Sequence, residues 1–175
     1  MTPSELVEGI AEFLEERLKD GVYPQKGSGG ALKPLRVFRH AIPQVEAAAM
    51  TPLGSESDDD MELEEIEDLF PCAVVRLDEG TDSIDGGNAA VRIVVGVFDN
   101  RMDSQGDRDV LSILHRIRQS LLEKPLIMNT FRLMRPMKWR LYEENSWPIY
   151  FGDVETTWLI PSPQEVFDFE TGYTE

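Results

Sequence analysis

The stretch from Phe131 to Pro161 constrains the fold most, because it contains all three tryptophans of the chain and two runs of strand-forming residues. In the first run, Met137 to Tyr142, apolar and basic residues alternate with the two-residue period of a half-buried strand. The polar segment Glu143 to Pro148 predicts a bend. The second run, Tyr150 to Ile160, is rich in aromatic and β-branched residues, which favour pleated strands. The pattern predicts an antiparallel hairpin with a heavy aromatic load.

The alternation also assigns the side chains of this hairpin to two faces, because successive residues of a strand point to opposite sides of the sheet. The predicted opposing sets are Met137, Trp139 and Leu141 against Lys138 and Arg140 in the first strand, and Val154, Thr156 and Trp158 against Asp153, Glu155 and Thr157 in the second.

Two segments have the apolar spacing of amphipathic helices. The first begins with Thr2, Pro3 and Glu5, which together predict a capping box with proline at the first helical position, and it is expected to stop at Asp20-Gly21. The second runs from Val110 to Leu122, with acidic residues before it and Pro125 after it.

Three further strands precede the second helix in the predicted order. They are Leu35 to Arg39, Cys72 to Leu77 and Asn88 to Phe98, the last apolar on both faces and therefore central in its sheet. The segment Asp78 to Gly87 is rich in Asp, Gly, Ser and Thr, so we expect a hairpin loop longer than a two-residue turn.

This order of elements predicts an α+β fold, with an antiparallel or mixed β-sheet and two helices packed on one face. We expect a single domain over residues 1–163, followed by an acidic, aromatic tail over 164–175. An acidic insertion is expected at about 43–69, because its charge run repels itself and is typical of a solvated segment.

Charge and composition limit the function classes. A net charge of −16 from 33 acidic and 17 basic residues argues against a grip on nucleic acid, which needs clustered Lys and Arg. The single cysteine, Cys72, opens an apolar run and is expected to be a buried structural thiol. We see no signal peptide and no run of apolar residues long enough for a membrane span, so we expect no membrane partner.

The residues give no positive case for an enzyme, a metal or a cofactor. No nucleophile triad, zinc spacing, dinucleotide fingerprint or phosphate loop is present, and the glycines after Lys26 lack the phosphate-loop ending. Asp58, Asp59 and Asp60 offer hard oxygen ligands, but neither calcium-loop spacing nor a convergent ligand accompanies them. His40 and His115 lack a partner motif.

The run FRLMRPMKWRLYEENSWPIYFGDVETTW, together with DVLSILHRIRQSLLEKP from Asp109 to Pro125, resembles the second half of tail terminator proteins of long-tailed bacteriophages. The resemblance extends from about Pro71 to Pro161. It implies a structural virion protein that forms a hexameric ring on the head-proximal end of the tail tube. Such a ring stops tube polymerisation and provides the surface for head-tail joining.

The resemblance implies several partners and a location. The partners are other copies of the chain, the tail tube protein and a head-side connector or neck protein, while DNA passes through the lumen without specific binding. The protein would assemble in the host cytoplasm and end in the virion, at the head-proximal end of the tail. A negative lumen would keep the DNA duplex from adhering.

Three regions are the candidate contact surfaces, because exposed aromatic residues beside polar rims are common interface anchors. The candidates are Asp58, Asp59, Asp60, Glu64 and Glu65 in the insertion, Glu143, Glu144, Trp147 and Tyr150 around the bend, and Phe167 and Phe169 in the tail.

Other function classes remain open on the residues alone. Another neck or head-tail connector ring protein would have similar size and acidity. A monomeric acidic adaptor would form no ring. A small metal-dependent nuclease would need convergent carboxylates, which the sequence does not display.

Overall fold

The structure, a computed structural model, describes most of the predicted domain. Nearly all of the expected acidic insertion and the whole of the tail 164–175 lie outside the described residues. The described ranges are 2–24, 32–42, 68–83, 86–100, 106–143 and 147–161.

The elements form two helices, a six-stranded sheet and a separate two-stranded sheet. The six strands lie in the order β3-β4-β5-β8-β7-β6, with antiparallel pairing except between β3 and β4, which are parallel. The predicted α+β class with a mixed sheet is therefore confirmed. The elements are α1 (Pro3–Leu18), β1 (Val22–Pro24), β2 (Leu32–Pro34), β3 (Arg36–Arg39), β4 (Cys72–Ser83), β5 (Gly86–Phe98), α2 (Gly106–Glu123), β6 (Leu126–Ile127), β7 (Phe131–Leu141) and β8 (Ile149–Ile160).

The capping box predicted for α1 is present. The Thr2 hydroxyl accepts a hydrogen bond from the Glu5 backbone N–H, and the Glu5 carboxylate accepts one from the Thr2 backbone N–H. Two amides that the helix cannot satisfy internally thereby gain partners. Pro3 occupies the first turn, and the helix ends at Leu18 with Lys19 as its C-cap.

Both helices pack on one face of the sheet, and the sheet curls around them. α1 contacts β3 and β4 at one edge and β6 at the other, so the two edges approach the same helix. Gly9 marks the closest approach: a Cβ there would lie 2.7 Å from the Met128 sulfur. The core between helices and sheet consists mainly of apolar side chains, because each helix buries one stripe against the inward residues of the strands.

The second helix starts a turn earlier than Val110, at Gly106. Gly106 lies against the ring of Tyr150, and a Cβ at this position would meet a ring carbon at 2.1 Å. Asp107 and Asp109 occupy the first turn, where a carboxylate interacts favourably with the helix dipole. Tertiary packing thus extends the helix beyond the segment that the apolar spacing predicts.

The expectation of a long loop from Asp78 to Gly87 is wrong. β4 continues to Ser83 and β5 begins at Gly86, with pairing down to Ser83 and Gly86. A register shift between Leu77 and Glu79 accommodates one extra residue. The residues from Asp78 to Ser83 are all exposed, so no apolar alternation marks them as a strand.

The faces predicted for β7 and β8 are confirmed. Val154 and Trp158 are fully buried on the helix side, and Thr156 donates its hydroxyl hydrogen to the Val91 carbonyl at 2.8 Å. The Trp158 indole N–H donates in turn to the Thr156 hydroxyl oxygen at 2.9 Å. Every polar atom that these two side chains bury therefore has a partner, as burial requires.

Candidate functional site

The sheet face opposite the helices, here called the open face, carries a charged network across its centre. Arg92 on β5 lies opposite Glu155 on β8, and Arg140 on β7 lies opposite Asp153 on β8. The Asp153 side chain is only 1% exposed, and its Oδ2 accepts hydrogen bonds from Arg140 Nη2 and the Tyr142 hydroxyl, each at 3.1 Å. A buried carboxylate is tolerated here because cations surround it.

The second half of the network links four strands. Glu155 Oε1 lies 3.1 Å from Arg140 Nη2 and 3.4 Å from Arg92 Nη2. Arg92 Nε is 2.7 Å from Asp78 Oδ2, although the alignment is too poor for a hydrogen bond. The network therefore ties β4, β5, β7 and β8 together by charge on the face that the helices leave uncovered.

The network shifts the protonation equilibria of its members. Burial raises the pKa of the Tyr142 hydroxyl, and the negative charge of Asp153 raises it further. The hydrogen bond and charge of Asp153 raise the pKa of the Arg140 guanidinium. Partial burial works against the charge on Arg92, but the charges of Asp78, Asp153 and Glu155 outweigh it and raise the Arg92 pKa. All of these shifts hold the network in its ion-paired form.

Beside the network lies an open polar cleft of about 340 Å³. Asp78, Arg92, Lys138, Glu155 and Thr157 line it with both signs of charge. Among the described residues, no group of three or more His, Cys, Asp and Glu side chains has the arrangement of a metal site. The carboxylates of the cleft already face arginines, so their geometry is that of ion pairs across a sheet.

An apolar cluster occupies one end of the open face. Phe70, Cys72 and Phe98 form its buried part, and Phe151 packs against Phe70 with ring centroids 6.3 Å apart. Burial raises the pKa of the Cys72 thiol to about 12, so the thiolate is scarce at neutral pH. The prediction of a buried structural cysteine is confirmed.

The interface candidates around the bend are placed unequally. Trp147 is 57% exposed and Glu143 is exposed, so both side chains are accessible to a partner. Tyr150 differs from the expectation of an accessible anchor, because its ring is buried against Gly106 in the core and serves packing. The other candidates lie outside the described residues: Asp58, Asp59, Asp60, Glu64, Glu65, Glu144, Phe167 and Phe169.

The structure adds a surface that the sequence reasoning missed, at the outer edge of β7. β6 pairs with β7 only through Phe131 and Arg132. From Met134 to Leu141, no described strand pairs with β7 on the side away from β8. An unpaired strand edge offers free backbone donors and acceptors to another chain.

A groove lies between α2 and this edge, and we call it the Trp139 groove. Trp139, Leu111, Leu114, His115 and Arg118 line its volume of about 220 Å³. Trp139 is 48% exposed and Leu111 38% exposed, while the Arg118 guanidinium lies 5.6 Å from the Trp139 ring centroid in a cation–π arrangement. The alternation in β7 predicted that Trp139 shares a face with Met137 and Leu141, but it could not show that this face meets α2 or that α2 leaves the ring half uncovered.

The chain's charge is strongly divided between this region and the rest. Residues 106–142 carry eight basic and three acidic side chains, a net charge of +5. Because the whole chain has a net charge of −16, the other residues together have a net charge of −21. From Pro125 to Tyr142 the chain has Arg132, Arg135, Lys138 and Arg140 and no acidic residue. The segment from α2 to β7 is thus net positive in a net negative chain. Arg140 is paired with Asp153 and Glu155, while Arg135 and Lys138 are exposed on β7. The signal was readable from the sequence as a local charge count.

Searches of protein-family models and of curated proteins find no match to this chain. No helix among the described residues is both long and apolar enough to cross a membrane.

Proposed function

We propose that this chain is a structural protein that assembles into a ring through contacts between unlike surfaces of neighbouring copies. More particularly, we propose that it is a tail terminator, which caps the head-proximal end of a bacteriophage tail tube, stops its polymerisation and offers a surface for head-tail joining. The particular assignment rests on the resemblance of the segment from about Pro71 to Pro161 to that family.

The ring proposal rests on the outer edge of β7, which carries positive charge in a chain that is otherwise acidic. From Met134 to Leu141 no described strand pairs with the outer edge of β7, and Arg135 and Lys138 are exposed along it, which are features of protein–protein contacts. A positive edge on a negative protein attracts the negative surface of another copy rather than its own equivalent edge. Contacts between unlike surfaces close into rings when the rotation between subunits allows it.

The same logic explains how a ring could end a tube. One face of the ring would bind the last ring of tube subunits, and the opposite face would lack the surface to which another ring of tube subunits could bind. The head-side connector would bind that opposite face. Six copies would carry a formal charge of −96, from six times −16, around a lumen through which DNA passes without specific binding.

The experiment that tests the proposal compares native mass and negative-stain images of the purified chain, alone and with tail tubes. The informative variant is Arg135→Glu/Lys138→Glu, which reverses two exposed charges on β7. Lys19→Glu, a charge reversal on the exposed C-cap of α1, is the control. We expect rings, alone or at tube ends, from the natural chain and the control, and at least a ten-fold weaker association of the β7 variant.

A chain that stays monomeric and ignores tubes would overturn the ring and favour the acidic adaptor. Rings that form but never bind tube ends would keep the ring and reject the terminator, leaving another neck or connector ring protein as the function.

A further inference from the structure

The Trp139 groove holds a half-exposed aromatic ring, an exposed leucine and a cation side by side, with nothing described covering them. Arg118 provides the positive charge at its rim, and the basic strand β7 continues it. An occupant that matches this groove carries aromatic side chains for the apolar floor and carboxylates for the rim.

The chain contains a segment of this chemistry that follows β8 in sequence. Residues 164–175 include Phe167, Phe169 and Tyr173 together with Glu165, Asp168, Glu170 and Glu175, and no basic residue. An alternation of aromatic and acidic residues from Phe167 to Glu170 places rings on one side and carboxylates on the other in an extended chain. The composition therefore complements the groove in both apolar character and charge.

The reach of this segment also agrees with the position of the groove. Trp139 pairs with Val154, and the chain then runs seven residues further to Pro161, which directly follows β8. A chain that turns back after Pro161 covers that distance, roughly 23 Å at 3.3 Å per residue, in about seven residues. It comes level with Trp139 near Asp168, between the two phenylalanines.

We propose that residues 164–175 fold back and dock in the Trp139 groove of the same copy of the chain, with Phe167 and Phe169 on Trp139 and the neighbouring carboxylates toward Arg118 and β7. The acidic insertion is a weaker occupant, because residues 55–67 contain no aromatic side chain and rejoin the described chain before β4, three strands away from β7. The docking does not depend on ring formation, since a single copy supplies both parts.

The first test measures how well acrylamide quenches Trp139 fluorescence in the full-length chain. All variants are made in a chain that carries Trp147→Phe. In this chain the remaining tryptophans are the half-exposed Trp139 and the fully buried Trp158, so a change in quenching reports on Trp139. Phe167→Ala/Phe169→Ala is the docking variant, and Tyr173→Phe is the control. We expect the docking variant to raise the quenching constant about two-fold and the control to leave it unchanged. An unchanged constant in the docking variant would overturn the proposal.

The second test separates docking within one copy from docking between copies. His115→Cys in the groove is combined with Asp168→Cys, and Glu12→Cys on the exposed side of α1 with Asp168→Cys is the control. We expect the first pair to form an intramolecular disulfide at a rate independent of protein concentration, at least ten-fold faster than the control pair. Disulfide-linked dimers would assign the tail to a neighbouring copy and overturn docking within one copy. Equal rates for the two pairs would show that the tail has no preferred site.

Discussion

The two faces of the same central strands are built on different physical principles. On the helix side, β5 and β8 contribute residues that are buried among apolar neighbours, such as Ile93, Val154 and Trp158. On the open face, the residues next to them in sequence are Arg92, Asp153 and Glu155, held by ion pairs. The first face is stabilised mainly by removing apolar area from water, which makes it sensitive to lost volume. The open face depends on the balance of charges and is partly solvated, so most of its side chains individually contribute less to the free energy of unfolding.

Trp158→Ala tests the helix side and has the largest expected effect. The indole is fully buried and donates to Thr156, so its removal leaves a cavity and an unsatisfied hydroxyl partner. We expect a loss of about 3–5 kcal/mol in the free energy of unfolding, measured by urea denaturation. Leu159→Ala, on the other face and 39% exposed, is the matched control, with an expected cost below about 1 kcal/mol. Similar costs for both variants would contradict the contrast between the faces.

Asp153→Ala tests the one part of the open face that is buried. Its carboxylate balances Arg140 and lies near Arg92, but these arginines are partly solvated and retain Glu155, so the cost is discounted to about 1–3 kcal/mol. Glu155→Ala removes a carboxylate that is 34% exposed, and we expect it to cost less than about 1 kcal/mol. If both changes cost the same in urea denaturation, burial of Asp153 adds nothing to the network.

Cys72 provides a pH-dependent comparison at the apolar end of the open face. Its pKa is raised by burial to about 12 from an ordinary 9.0, so the folded state holds the proton more tightly than the unfolded state. This contribution to stability is fully present below pH 9 and is lost as pH rises toward 12. At pH 10 the loss is about 1 kcal/mol relative to pH 8.

The measurement for Cys72 is the slope of unfolding free energy against pH between 8 and 10.5. Cys72→Ala removes the thiol and is expected to have a shallower slope, whatever its stability at pH 8. Parallel slopes for the natural chain and the variant would show that the thiol titrates alike in both states.

Trp139→Ala has the smallest expected effect on folding, because the ring is already half exposed. We expect a loss of under about 1 kcal/mol, from its contact with Arg118 and the partial burial of the indole. Thermal unfolding measures this change in stability. A loss well above about 1 kcal/mol would show that the ring packs in the core rather than lying half exposed beside α2.

Much of the fold followed from local patterns, and the errors have identifiable causes. The alternation in β7 and β8 and the capping box of α1 are properties of neighbouring residues, so the sequence predicts them well. The hairpin arm from Asp78 to Ser83 has no apolar face. It is a strand because it continues the pairing of β4 with β5 that begins at Cys72. An aromatic residue beside a polar bend is a typical interface anchor, which is why Tyr150 was a candidate, but its burial against Gly106 depends on a residue distant in sequence.

The candidate contact surface divides in the same way. Local counting is enough to find the positive charge of residues 106–142 and the aromatic, acidic composition of 164–175. Counting does not reveal that β6 stops after two residues, that no described strand pairs with the rest of the β7 edge, or that α2 leaves Trp139 half covered. Both facts depend on how elements meet.

The sequence by itself determined the positions of both helices and of the strands with a clear apolar pattern, which side chains share a face, and how charge is divided along the chain. The reason is that these properties follow from the period of the backbone and the chemistry of near neighbours. Only the tertiary structure decided which face the helices cover, where the sheet remains open, and that Asp153 is buried among arginines. A two-residue period distinguishes two faces without choosing between them, and the choice comes from packing between residues far apart in the chain.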